Sequence, residues 1–186
     1  MRVIGALLAV AVAGGCAGIN GPRCASLPGG YYCLQPSTAL APRDAVQRVD
    51  IAMGELRETV IVALEIDHAG LRVVAVTPFG QKLIEMEYDN KVLHGGAAAP
   101  QLDPMLLAML VQLALWPADA VRNGLSESLM MDANSGHRRI VYDGETLVSV
   151  EYEGQTRGRM RIRVPQAGLF ALVHDLHAPS GVEPAP

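Results

Sequence analysis

Few side chains in this 186-residue sequence have the type and spacing that covalent chemistry needs. The run Gly124, Leu125, Ser126, Glu127, Ser128 comes near the nucleophile elbow G-x-S-x-G, with Ser128 in place of the last Gly. That elbow presents its serine on a turn from strand to helix. The periodicity here places a helix before Ser126 and a strand after it, the reverse order, which argues against an acyl-transfer nucleophile. His174 and His177 flank Asp175. On a strand, a spacing of three sends side chains to opposite faces, so the two do not converge on a metal. His68, His94 and His137 fall at turns, and no H-E-x-x-H or paired-Cys motif accompanies them. These residues imply no catalytic centre, no metal and no cofactor. The most conspicuous polar pattern is Arg157, Arg159, Arg161 and Arg163 on one face of a strand. Such a stripe can contact anionic lipid headgroups or the acidic face of another envelope protein. It can equally be a solvated face whose ion pairs contribute about 0–1 kcal/mol each.

A different chemistry is written at the start of the chain. Arg2 is the sole charge before Cys16; an apolar run over 3–13 and then Gly14 and Gly15 precede that cysteine. A basic start, a short apolar stretch and small residues before a cut make a secretory leader. The run is shorter than the roughly 20 residues a spanning helix needs. Small residues directly before Cys16 look like a lipobox, in which the thiol is acylated and the cysteine becomes the mature N-terminus; Ala13 stands where that pattern usually has an aliphatic such as Leu. The alternative is an ordinary cleavage at a nearby Ala, with the Cys16 thiol free or paired. Acyl chains would anchor the protein firmly, since two suffice. The expectation is a lipid-anchored protein of the cell envelope. Ala17, rather than Asp, after the cysteine leans towards the periplasmic face of the outer membrane. Acylation of Cys16 would leave Cys24 and Cys33 to pair in an oxidising compartment, with Pro28, Gly29 and Gly30 able to turn the loop between them. Free thiols, or a metal pair without a third Cys or a nearby His, are the alternatives.

The elements that would position these residues follow from composition and period. With 15 basic and 19 acidic side chains, net charge −4, the chain lacks the basic balance of a nucleic-acid binder. Hydrophobic residues at 50% and aromatics at 4% describe a compact apolar domain without stacking platforms. The expected layout is a leader over 1–15, a tether over 16–30, a single domain over 31–177 and a disordered tail over 178–186. Within the domain, alternation predicts strands over 45–53, 56–67, 71–77, 83–88 and 91–94. Asp103 and Pro104 then open a helix over 105–116, closed by Trp116 before Pro117, with a second short helix over 118–124. Strands return over 128–132, 138–142, 146–153, 158–164 and 169–176, with Asp143 and Gly144 as a hairpin turn. A three-residue loop over 154–156 would set Glu151 opposite Arg159 and Glu153 opposite Arg157. Strands, helices, then strands predict an α+β fold: a strongly curved antiparallel sheet, an unclosed barrel, with the central helical segment covering its concave face. The first helix is apolar all round except for Gln112. Leu106, Met109, Leu110, Leu113 and Trp116, with Met130, are the residues expected to line an adaptable apolar ligand site, plain core being the alternative.

Several of these residues together carry a family resemblance: Cys16; Leu27, Pro28, Gly29 and Gly30 with Tyr32, Cys33 and Leu34; Pro78, Phe79, Gly80 and Gln81; Gln112 to Pro117; and the turn at Tyr142, Asp143 and Gly144. The sequence resembles the bacterial lipoprotein family catalogued as domain of unknown function 3261, over residues 27–176. Members often accompany aryl polyene biosynthesis genes. They look similar to the outer-membrane lipoprotein carrier and receptor proteins LolA and LolB, whose fold is an unclosed barrel with a helical lid over an apolar cavity. The resemblance implies a non-catalytic protein that binds an acyl or polyene lipid, or the acyl chains of a lipoprotein, for transport or membrane insertion. Its motifs are turns and helix ends, and it supplies no catalytic residues. A scaffold lipoprotein that recruits partner proteins through the arginine stripe is the rival expectation.

Overall fold

Alternating apolar residues build long strands here because each strand needs one face against a core and one in water. A computed structural model describes residues 23–98, 102–154 and 158–176. The strands are β1 (Cys24–Leu27), β2 (Gly30–Cys33), β3 (Arg43–Met53), β4 (Leu56–Ile66), β5 (Leu71–Val76), β6 (Lys82–Tyr88) and β7 (Leu93–Ala97). Then come helices α1 (Pro104–Leu115) and α2 (Ala118–Gly124), and strands β8 (Met130–Ala133), β9 (His137–Tyr142), β10 (Glu145–Glu153), β11 (Arg159–Val164) and β12 (Leu169–Asp175). Ten strands form one antiparallel sheet in the order β7-β6-β5-β4-β3-β12-β11-β10-β9-β8. Two meanders are thus joined where β12 returns to pair with β3, Val173 opposite Val49 and Ala171 opposite Ile51. The sheet is curved and unclosed, and β7 and β8 are its edges. The fold is mainly β with two helices, a smaller helical share than the α+β expectation implies.

The inward rows of the strands form one core with α1. Val60, Leu64, Val73, Ala75, Met86, Met160 and Val173 are all buried. The helix begins where expected: the Asp103 carboxylate accepts from the Met105 N–H at 2.9 Å, Pro104 follows, and Trp116 is extended before Pro117. Asp143 (φ 47°) and Gly144 (φ 78°) make the two-residue turn between β9 and β10, as their types require.

Four expectations are corrected. The stretch read as tether is ordered from Arg23: β1 and β2 form a two-stranded ribbon, turned at Gly29 (φ 75°) and closed by a disulfide between the directly opposed Cys24 and Cys33. A Pro- and Gly-rich turn between two four-residue strands reads as coil in composition, although it is a tight hairpin. In the β10–β11 hairpin, Glu151 faces Arg161 and Glu153 faces Arg159, two residues away from the expected register. A slip of two keeps every side chain on its own face, so alternation permits both registers and the loop decides. That loop is longer than three residues, because pairing resumes only at Arg159. The strand expected over 91–94 is instead Leu93–Ala97, and β8 starts at Met130 rather than 128. Cys16, Arg157, His177 and the tail lie outside the described residues.

Candidate functional site

Helix α1 is apolar all round because it is covered from both sides. One side meets the N-terminal ribbon and the chain that follows it. There the Tyr32 hydroxyl donates to Gln112 Oε1 at 2.8 Å, the Gln35 N–H donates to the same oxygen at 2.7 Å, and Gln112 Nε2 donates to the Gln35 carbonyl at 2.7 Å. The Trp116 indole N–H donates to the Pro36 carbonyl at 3.0 Å. Burial pushes the Tyr32 phenol far up, so it remains a neutral donor. Met109, Leu113 and Trp116 share the Gln112 side at helical spacing and are fully buried.

The other side of α1 faces the concave sheet across a cavity of about 100 Å³. From the helix it is lined by Leu107, Leu110, Val111, Ala114 and Leu115. From the sheet it is lined by inward residues of β3, β4, β5, β6, β11 and β12, aliphatic or methionine except for Gln47. The last turn of α1 is held to the far half of the sheet. Arg138 Nη1 donates to the carbonyls of Leu113 (2.8 Å) and Trp116 (2.6 Å), and the Tyr152 hydroxyl donates to the Ala114 carbonyl (2.8 Å). Arg138 also stacks over the Tyr152 ring at 5.8 Å. These donors satisfy helix-end carbonyls that would otherwise be buried without partners.

Of the residues expected to line the site, only Leu110 does. Leu106 is half-buried but off the cavity, and Met109, Leu113 and Trp116 face away from it. Met130 is 64% exposed on the edge strand β8. The helix lies where its end signals put it, with a different side turned to the cavity from the one expected. The missed signal was Gln112: a lone amide in an apolar helix marks the side that meets backbone donors and acceptors, so the opposite side faces apolar space.

Against models of known families, residues 44–169 match the one described as protein of unknown function (DUF3261). The chain belongs to the DUF3261 family. The matched residues run from β3 to the start of β12, so the DUF3261 region contains α1 and most of the cavity wall, while the ribbon precedes it. No curated protein matches the chain.

The remaining candidates of this DUF3261 chain fall outside the cavity. Arg161 pairs with Glu151 (3.1 Å) and Glu153 (2.9 Å). Arg163 lies 3.7 Å from Glu151 and over the Phe170 ring at 5.6 Å. Both point away from the buried row of Met160, Ile162 and Val164, as does the exposed Arg159, so the stripe lies on the outer surface. Ser126 Oγ accepts from the Tyr31 N–H at 3.1 Å and lies 3.2 Å from Ser128 Oγ, which donates to the Gly29 carbonyl. These hydroxyls fasten the ribbon turn to the segment after α2. His174 sits on β12 opposite Arg48 and Arg159. Among the described residues no three His, Cys, Asp or Glu side chains gather as a metal site, and no helix is long and apolar enough to cross a membrane.

Proposed function

We propose that this protein is an envelope lipoprotein that takes a hydrophobic group into the space between α1 and the curved sheet. It then helps carry that group to, or settle it in, the outer membrane. The observation that carries this reading is the cavity itself: an aliphatic space kept between a sheet and a helix whose other side is fastened elsewhere. An unclosed sheet with a helix across its hollow is also the arrangement expected of a LolA- or LolB-like carrier. The lipobox-like Cys16 supplies the anchor in this reading, and acyl or polyene lipids or lipoprotein acyl chains are the cargo.

The size of the cavity sets the mechanism. About 100 Å³ is smaller than the roughly 150 Å³ that admits a benzene ring. A long chain therefore enters only if α1 moves off the sheet, and each buried CH2 then contributes about 0.8 kcal/mol. Ala171 lines the cavity from β12, so Ala171→Leu fills it with three added carbons. Solvent extraction of purified protein followed by mass spectrometry should recover at least roughly tenfold less lipid per chain from the variant, with an unchanged far-UV spectrum. Equal lipid recovery from both folded proteins would contradict the cavity as the cargo site.

A further inference from the structure

Helix α1 is held unevenly along its length. The hydrogen bonds that tie it to the ribbon and to the sheet fall on its last turn. Gln112 bonds Tyr32 and Gln35, the Trp116 indole bonds the Pro36 carbonyl, and Arg138 and Tyr152 bond the carbonyls of Leu113, Ala114 and Trp116. The turn is therefore clamped from two sides. The first two turns, Pro104 to Val111, carry no polar side chain and meet their surroundings through apolar contact. Apolar contact is non-directional, whereas each clamp bond needs its partner in one place. The clamp also has a definite position. In an antiparallel meander successive turns alternate between two rims of the sheet. Pro36 leads into Ser37, whose N–H donates to Asn90 between β6 and β7 at 2.6 Å, and the Tyr152 N–H donates to the Gly136 carbonyl between β8 and β9 at 2.9 Å. The clamp thus sits at the rim of those turns. At the other rim β3 turns into β4 and β5 into β6. There β7 ends, and the Ala98 N–H donates to the Leu83 carbonyl at the start of β6 at 2.7 Å.

We infer that α1 is a lid pivoted on residues 112–116, and that a chain enters the cavity at the opposite rim as Pro104 to Val111 part from the sheet. This rests on the cavity being the ligand site, and adds where it opens and about what. Leu110 and Leu115 both line the cavity from α1, at 4% and 9% exposure. In a shut, rigid protein a thiol at 110 reacts no faster than one at 115; a pivot reverses that order. Leu110→Cys and Leu115→Cys are therefore made separately in the full chain, kept in isolated envelope membranes and treated with N-ethylmaleimide. Modification is read on the tryptic peptide of residues 92–122, which contains α1 and no native cysteine. Leu110→Cys should react at least roughly tenfold faster, at a rate that dilute urea leaves unchanged, as a local opening requires. Leu115→Cys should react through global unfolding and speed up with urea. Tyr152→Phe takes one bond from the clamp, and should speed Leu115→Cys about two- to tenfold while leaving Leu110→Cys unchanged. If a Leu variant does not fold, Val111→Cys and Ala114→Cys, each a change of a single heavy atom, repeat the comparison with the urea response as the readout. Saturating methyl palmitate should slow Leu110→Cys at least roughly threefold by occupying the space beneath it.

Equal rates at the two positions, a faster Leu115→Cys, or the same urea dependence at both would overturn the pivot and leave the cavity reading standing. Tyr152→Phe speeding both positions alike would also overturn it, by showing that α1 opens only as a whole. A Leu110→Cys rate that methyl palmitate does not slow would overturn the cavity reading, and the entrance with it.

Discussion

Two side chains mark the two sides of α1, the fastened one and the one that faces the cavity. Gln112 is hydrogen-bonded through both its amide oxygen and its amide nitrogen to Tyr32 and Gln35, whereas Gln47 lines the aliphatic cavity. Gln112→Leu would take their partner from the buried Tyr32 hydroxyl and from the half-buried Gln35 N–H and carbonyl, and should lower stability by about 2–4 kcal/mol in urea denaturation. A loss below about 0.5 kcal/mol would show that the ribbon is not fastened through this amide. The outer surface carries a second residue-scale effect. Backbone N–H groups of Val92 and Lys91 hold Asp89 below the usual carboxylate range; the Thr59 hydroxyl does so for Asp50, and His137 for Asp132. A carboxylate whose folded pKa is depressed contributes stability above its unfolded pKa, and that contribution is lost as pH falls through the folded value. The melting temperature should therefore hold between about pH 7 and 5 and fall below about pH 4, less steeply in Asp89→Asn. An identical acid limb in that variant would contradict the assignment. At this scale the sequence named Gln112 as the exception in its helix. It did not disclose Gln47, which sits in a regular alternation where polar residues ordinarily mark the outer face.

Element ends were legible and element faces less so. Asp103, Pro104 and Pro117 bound α1 because each acts through local backbone geometry: a cap, a fixed φ and a forbidden continuation. The roll of α1 was legible only through Gln112, because a helix covered on two sides has no polar stripe to read. The β10–β11 register escaped for the related reason that acids oppose bases in both alignments. The ribbon β1–β2 shows the opposite case, in which two cysteines spaced for a short loop outweigh a coil-like composition. Its disulfide should stabilise by roughly 2–3 kcal/mol through the restricted unfolded chain. Replacing Cys24 and Cys33 together by Ala should lower denaturation stability by that amount, and an unchanged midpoint would show that the ribbon adds nothing to the fold's stability.

At the scale of the molecule, the order strands–helices–strands was enough to foresee a curved open sheet around a central helix. Period and turn chemistry report local structure directly, and a meander needs little more. The volume left between helix and sheet was beyond reach, because it depends on how the aliphatic rows of six strands meet one side of α1. That volume is the centre of the functional account, and its small size makes movement of α1 a requirement for carrying a chain. The direct measurement is native mass spectrometry of the protein purified without detergent from the cells that make it, exported behind a cleavable leader in place of residues 1–16. The account predicts an added mass of one lipid or polyene, released on denaturation. A clean apo mass that persists after incubation with neutral acyl esters would contradict it, and would make the space between α1 and the sheet ordinary core.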